Sequence, residues 1–326
     1  MRILVILPNW LGDAIMTTPA IELLTQHYKN ARLTFVGSYV SIEALKHHPL
    51  CERAIVDETK KASSRLYATY KLAKELGAFD LAISFRNQLH SSLLLRFTDT
   101  VLCLAKSSWH SRLLLSHTPK ISSHQHLVEQ YAKLAMVNSD DYKGQVPKLK
   151  LYIEPQKFQK PTLGINAGAT YGSAKRWYPE RFAEVGAAFS NLYDIIIFGG
   201  PNETEISYEI EKNLISLGIT NYTNLAGKTT IQELCSYIGG CSLFITNDSG
   251  PMHVAAAYQV PTVAIFGPTK YKETSQWKNE KGMIVRHEID CSPCMKRECP
   301  LKHHDCMKGI TANEVIVAVK ELDLKL

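Results

Sequence analysis

The sequence predicts an α/β protein made of two doubly wound halves, and three observations carry that prediction. Short apolar runs alternate with helix-length segments through residues 2–104, the order that gives a parallel sheet covered on both faces. The character changes at residues 138–161, NSDDYKGQVPKLKLYIEPQKFQKP, a polar stretch rich in Lys and Pro, after which the same alternation restarts. The 326 residues also exceed what one hydrophobic core usually organises. Two facing Rossmann-like domains with parallel sheets and a cleft between them are expected, residues 1–155 forming the first and 156–326 the second.

The elements follow in order. Residues 2–7 read as a strand and 14–29 as an amphipathic helix kinked at Pro19. Residues 32–37, 54–57, 81–85 and 101–104 are further strands, and 149–153 could form one within the connection. In the second half, strands at 162–166, 194–199 and 221–225 alternate with helices at 179–192, 203–217 and 231–239. Next comes LFITNDSGPMHVAAAYQVPTVAIFGPT, a strand at 243–246, a helix at 252–258, a strand at 261–266 and an exit turn at Gly267-Pro268. Ser249 suits the helix N-cap and Pro251 its first turn. A last helix at 312–322 ends the pattern.

Composition narrows the class. Hydrophobic content of 45% and charged content of 21% are those of a soluble globular protein, without low-complexity blocks. A formal charge of +6 permits an anionic partner but falls short of a nucleic-acid-binding domain, so none is expected. The apolar run at the start is too short for a signal peptide or a membrane span. Eight cysteines without an export signal argue against a secreted disulfide scaffold, which points to the cytoplasm.

Chemistry concentrates where strands hand over to helices. Ligands of open α/β sheets bind at the carboxyl ends of the strands, and helix N-termini attract phosphate. The first such turn, PNWLGDAIMTTPAI, lacks GxGxxG, so a dehydrogenase fingerprint is absent from its place. Gly12 tightens it instead, and Asp13 is either a helix-terminal carboxylate or a general base toward a hydroxyl. The second-half turn INAGATYGSAKRWYPERF offers Thr170 and Lys175, suited to a diphosphate, or is a solvated basic loop. FGGPNETE supplies Glu203 and Glu205, for a ribose diol or for helix capping. Asp248, the amides of Gly250 and Met252, and His253 cluster at the third turn.

These segments together resemble the ADP-heptose:lipopolysaccharide heptosyltransferases, most closely their heptosyltransferase II branch. The matching stretches are PNWLGDAIMTTPAI, K-x-W-x-P-E at residues 175–180, FGGPNETE, TNDSGPMHVAAA followed by PTVAIFGPT, and the tail CSPCMKRECPLKHHDC. They span essentially the whole chain in order. The resemblance implies the GT-B fold, with acceptor on the first domain and sugar nucleotide on the second. It implies Asp13 as general base for inverting transfer from ADP-heptose to a lipid A–Kdo–heptose acceptor. Lys175 and Thr170 would hold the leaving diphosphate, Glu205 the ribose and Asp248 the donor heptose. Ser249, Gly250 and Met252 would face the phosphates, with His253 in support. No metal cofactor is implied, Lys175 and the helix N-terminus supplying the electrostatics. Tyr-Gly-Ser-Ala between Thr170 and Lys175 departs from members with further hydroxyl or charged residues there.

Acceptor groups are read from charge and position, and Gly12 in the first turn is expected among them. Arg86 and Asn87 follow the strand at 81–85, and Lys60, Lys61 and Arg65 form a basic cluster suited to an acceptor rich in carboxylates and phosphates, or to a solvated face. Cys291, Cys294, Cys299 and Cys306 form C-x2-C-x4-C-x6-C near His287, His303 and His304, able to hold a structural zinc or to pack as reduced thiols. Attachment at the inner-membrane cytoplasmic face is expected to be peripheral, and the chain a monomer. The alternatives are heptosyltransferase I, another GT-B transferase, or a non-catalytic zinc-dependent binding protein.

Overall fold

The first strand, β1 (Arg2–Ile6), is buried from its second residue onward and lies at the centre of a parallel sheet. Beside it run β2 (Arg32–Gly37), β3 (Cys51–Val56), β4 (Leu81–Ser84) and β5 (Cys103–Ala105), in the order β3-β2-β1-β4-β5. The helices between them are α1 (Leu11–Met16), α2 (Thr18–His27), α3 (Tyr39–Leu45), α4 (Arg65–Leu76) and α5 (Leu89–Phe97), then α6 (Trp109–Leu114) and α7 (Leu127–Ala135). Strand order reverses between β1 and β4, so the loops after those two strands flank the crevice where such sheets bind ligands.

The second sheet has the order β11-β10-β9-β6-β7-β8 and is also parallel. Its elements are β6 (Thr162–Asn166), α8 (Pro179–Phe189), β7 (Asp194–Phe198), α9 (Thr204–Ser216), β8 (Tyr222–Asn224) and α10 (Ile231–Gly240). They continue with β9 (Leu243–Asn247), α11 (Gly250–Ala257), β10 (Thr262–Phe266), α12 (Tyr271–Thr274), β11 (Gly282–Arg286), α13 (Asp305–Lys308) and α14 (Ala312–Glu321). Here the reversal falls between β6 and β9. Trp177, Phe182, Ile165 and Ile245 anchor its core, together with Met307 and Val315 from the tail.

The computed structural model describes residues 1–139 and 142–322; Asp140 and Asp141 of the polar connection and residues 323–326 of the second half lie outside the described residues. The chain divides into two compact units, Met1–Tyr152 and Ile153–Leu326. No helix among the described residues is long and apolar enough to cross a membrane.

Short helices α12 and α13 were not read from the sequence, β3 and β5 have shifted bounds, and three further differences have a clear physical reason. The helix expected over 14–29 is two helices, broken at Thr17 rather than kinked at Pro19. Proline cannot donate to the Ile15 carbonyl, and the Thr18 hydroxyl takes that carbonyl at 2.8 Å. Residues 149–153 form no strand: the Lys150 amide donates to Thr18 Oγ1 at 3.1 Å and the Tyr152 hydroxyl to Glu22 at 2.9 Å, so the alternating pattern packs on α2. Strand β11 was not anticipated, because its five residues GMIVR lie half-buried at a sheet edge and carry a weak apolar signal.

Candidate active site

At the reversal of the second sheet, a single side chain fixes the loop that follows β6. Asn247, the last residue of β9, donates to the Ala167 carbonyl at 2.6 Å and accepts from the Trp177 amide at 3.1 Å. Both ends of the 167–177 loop are thereby tied to β9. Lys175 rises from a single 3-10 turn in that loop, and its ammonium meets Asp248 Oδ2 at 2.6 Å. The side chains are 13% and 4% exposed, so a buried carboxylate has its countercharge at the edge of solvent. Thr269, beyond β10, donates its hydroxyl to the same oxygen at 2.6 Å. Sequence reading missed Thr269, although its place directly after a strand at the sheet edge was the available signal. The Lys175 ammonium also lies 4.8 Å from the Tyr171 ring centre, with the Arg297 guanidinium 5.7 Å from it.

Around this pair stand the other second-half candidates. Thr170 is exposed, and its hydroxyl lies 3.4 Å from Glu203 Oε1. Glu203 is buried and takes the Gly200 amide on its other oxygen at 2.8 Å. A Cβ at position 168 would sit 2.1 Å from the Glu203 carboxylate, so any other residue there would have to push Glu203 aside. Glu205, in the first turn of α9, is exposed and borders an open hollow of about 260 Å³ with Arg176, Tyr178 and Asn202. Of the two carboxylates, Glu203 is the one bonded to Thr170.

The start of α11 places Ser249 at the N-cap as expected and revises the expectation for the Met252 amide. Ser249 occupies the N-cap without a side-chain cap bond, because its hydroxyl faces Asn166 Nδ2 at 3.3 Å and Thr246 Oγ1 at 3.2 Å. The Met252 amide donates to the Ser249 carbonyl at 3.1 Å and is consumed by the turn, while its side chain is core, packed with Ala264 and Phe266. Gly250 is half-buried, and His253 is buried within the same helix.

The cysteine-rich tail braces the Lys175 turn. The Ala174 amide donates to the Arg297 carbonyl at 3.0 Å, His304 Nε2 lies 2.9 Å from the Ala174 carbonyl, and the Tyr171 hydroxyl donates to Met295 at 2.7 Å. Cys291, Cys294, Cys299 and Cys306 line one cavity of about 20 Å³ with His303 and His304. Cys291 Sγ is 4.0 Å from His303 Nε2, yet among the described residues no three His, Cys, Asp or Glu side chains are set to hold a metal. All four are free thiols, and burial together with the neighbouring thiols pushes Cys306 up to about 11.

In the first sheet, Asp13 is half-buried in the first turn of α1, just past the end of β1, with Gly12 buried beside it. Burial, and then the Asp13 charge, raise the Tyr131 phenol well above its usual range. The Tyr131 ring stands edge-on to Phe85 at 5.2 Å. Arg86 departs from the expected pose: it is 7% exposed, gives Nη1 to Asp57 at 3.1 Å and Nε to the Leu7 carbonyl. Its charge is spent on its own domain, while the adjacent Asn87 is exposed. Asp57 is held by His90 Nε2 at 3.2 Å and by the Thr59 hydroxyl at 2.6 Å. Burial acts to raise the Asp57 carboxyl, but these bonds and the charges of His90 and Arg86 bring it far below the usual carboxylate range. Lys60 and Lys61 are exposed on the 3-10 turn Thr59–Lys61, and Lys61 pairs with Glu58 at 2.7 Å.

Comparison with known proteins adds a family to this geometry. Residues 69–304 match the family described as glycosyltransferase family 9 (heptosyltransferase). The chain is similar to lipooligosaccharide heptosyltransferase 2 of Campylobacter jejuni, 41% identical over 99% of this chain and 98% of that one. The protein of the same name from Haemophilus influenzae is 28% identical, with 99% of each chain covered. Among solved structures, Escherichia coli ADP-heptose lps heptosyltransferase II superposes with a TM-score of 0.84 at 25% identity, over 99% of this chain and 98% of that one.

Proposed function

The chain belongs to glycosyltransferase family 9, the heptosyltransferases, and from that premise we propose that it transfers heptose from ADP-heptose to the inner-core heptose of a lipopolysaccharide or lipooligosaccharide. The observation that carries this reading is the 41% identity to a lipooligosaccharide heptosyltransferase 2 along nearly the full length of both chains.

The residues then take these roles. Asp13 accepts the proton of the acceptor hydroxyl as its oxygen bonds to the donor anomeric carbon. The bond from that carbon to the β-phosphate oxygen breaks on the opposite side, so ADP leaves and configuration inverts. Lys175 turns from Asp248 to the diphosphate and offsets the charge that develops on it, assisted by Thr170 and the Gly250 amide. Asp248, still held by Thr269, is freed for the donor heptose hydroxyls. Glu205 meets the ribose, and Ser249 and His253 shape the turn at the phosphates. Asn87, Lys60 and Lys61 face an anionic acceptor. Lys175 and the α11 N-terminus make a metal unnecessary for the chemistry. The protein works as a monomer, held peripherally at the cytoplasmic face of the inner membrane.

Calorimetry without metal tests the donor side, using ADP, ADP-heptose, UDP and NAD. Binding confined to ADP and its heptose conjugate is expected, with ADP released when a heptose-terminated lipid A–Kdo acceptor is added. A preference for UDP, or no nucleotide binding, would overturn the assignment.

A further inference from the structure

The loop that carries Asp13 leaves β1 at Leu7 and enters α1 at Leu11, and its carbonyls fall outside the ladder of either element. Such carbonyls need donors from elsewhere. Here three successive ones are taken by side chains. Arg86 Nε donates to Leu7, Ser41 Oγ to Pro8, and Ser38 Oγ to Asn9 at 2.8 Å. The next carbonyl, of Trp10, opens α1 by accepting the Ala14 amide at 2.9 Å. Every carbonyl from Leu7 to Trp10 is therefore pinned, and Asp13 lies three residues further on, in the first turn of α1.

The donors are themselves fixed. Ser38 is the N-cap of α3 and accepts the Ser41 amide at 3.2 Å, while Ser41 has no exposure. Arg86 is locked by Asp57, which in turn meets His90, and His90 Nδ1 lies 3.1 Å from Thr69 Oγ1. The arrangement is not the cheapest way to fill the space. Arg86 Nη2 is buried without a hydrogen-bond partner, and a buried ion pair with an unmet donor is commonly less stable than apolar residues of similar volume. What the arrangement does supply is a fixed backbone.

We propose that Arg86, Ser41 and Ser38 are positioning residues for Asp13, setting the height and direction of its carboxylate by clamping the backbone ahead of it. This rests on Asp13 being the general base. A displacement of about 1 Å at a reacting group can cost on the order of a hundredfold in rate, so losing one clamp should appear in turnover before it appears in binding.

The test is a double-mutant cycle with Ser41→Ala and Asp13→Asn, read as kcat, KM for acceptor, Kd for ADP, and melting temperature. Ser41→Ala removes one hydroxyl and is chosen because Arg86→Ala risks the fold. Arg86→Lys is the second variant, since it keeps the charge toward Asp57 but cannot also fork to Leu7. The expected result is a fall in kcat of about tenfold or more in both variants. For Ser41→Ala, ADP affinity should stay close to wild type and the melting temperature should fall only by what one lost buried hydrogen bond costs. Adding it to Asp13→Asn should cause no further loss of kcat. A Ser41→Ala enzyme with wild-type kcat, or an equal fractional loss with and without Asp13, overturns the clamp while leaving Asp13 as base. Wild-type turnover in Asp13→Asn alone overturns the base reading, and the clamp with it.

Discussion

Two buried ion pairs sit past the carboxyl ends of the two sheets, and they are built for opposite purposes. Arg86 and Asp57 are each 5% exposed at the side chain, and the guanidinium is divided between a carboxylate and a backbone carbonyl. Lys175 and Asp248 meet at 2.6 Å, but the lysine keeps 13% exposure and lies against the Tyr171 ring. A planar fork with several fixed partners holds one geometry, whereas an ammonium on a four-carbon stem can change partners at little cost. Asp248 would not be stranded by such a change, because Thr269 still donates to it. The first pair holds backbone in place; the second can be exchanged for a ligand.

The comparison breaks most readily at Asp57. Asp57→Ala leaves Arg86 charged and buried, and should cost about 3–5 kcal/mol of stability, measured by urea denaturation. A loss under about 1 kcal/mol would mean the pair behaves like a surface one. Lys175→Ala should shift the balance toward function. Asp248 keeps the Thr269 hydroxyl but loses its countercharge, so some stability is lost, less than in Asp57→Ala because the pair lies nearer solvent. Meanwhile kcat/KM falls on the order of a hundredfold and ADP binding weakens in calorimetry. An effect on acceptor KM alone would move Lys175 to the other substrate.

Acid titration sharpens the contrast. Asp57 is depressed in the folded state, so its contribution is present above the unfolded value of about 4 and is lost as pH falls below it. Glu314, brought down to about 2 chiefly by the Thr311 amide, works in the same direction at the start of α14. Unfolding midpoints followed from pH 5 to pH 2 should therefore decline in the wild type and decline less in Asp57→Asn. The smallest expected effect is Glu205→Ala, which should weaken ADP binding by about 1 kcal/mol and leave kcat nearly unchanged. No change in ADP affinity would return Glu205 to a plain helix-terminal carboxylate and direct attention to Glu203.

What could be read in advance follows from range. The alternation of apolar runs is local, so both parallel sheets and most strand positions were legible before any coordinates. So were Lys175 and Asp248, since each lies next to a strand end with a recognisable turn. Their mutual pairing was not, because 73 residues separate them and no local pattern encodes which charges meet. Arg86 misled for the same reason: a charged residue at a sheet edge reads as solvent-facing until Asp57 and Leu7 are known to lie beneath it. Ser38 and Ser41 gave no sign of reaching Pro8 and Asn9, being ordinary helix-start hydroxyls in sequence.

Gly172 makes a mechanical link out of what would otherwise be two separate segments. A Cβ at that position would lie 2.2 Å from the Arg297 carbonyl, so the space of its missing side chain is where the cysteine-rich tail seats. Beside that seat, the Ala174 amide grips the same carbonyl at 3.0 Å, one residue before Lys175. Tail and turn are consequently a single lever. Any side chain at position 172 would collide with that carbonyl, so the tail or the turn that carries Lys175 would have to give way.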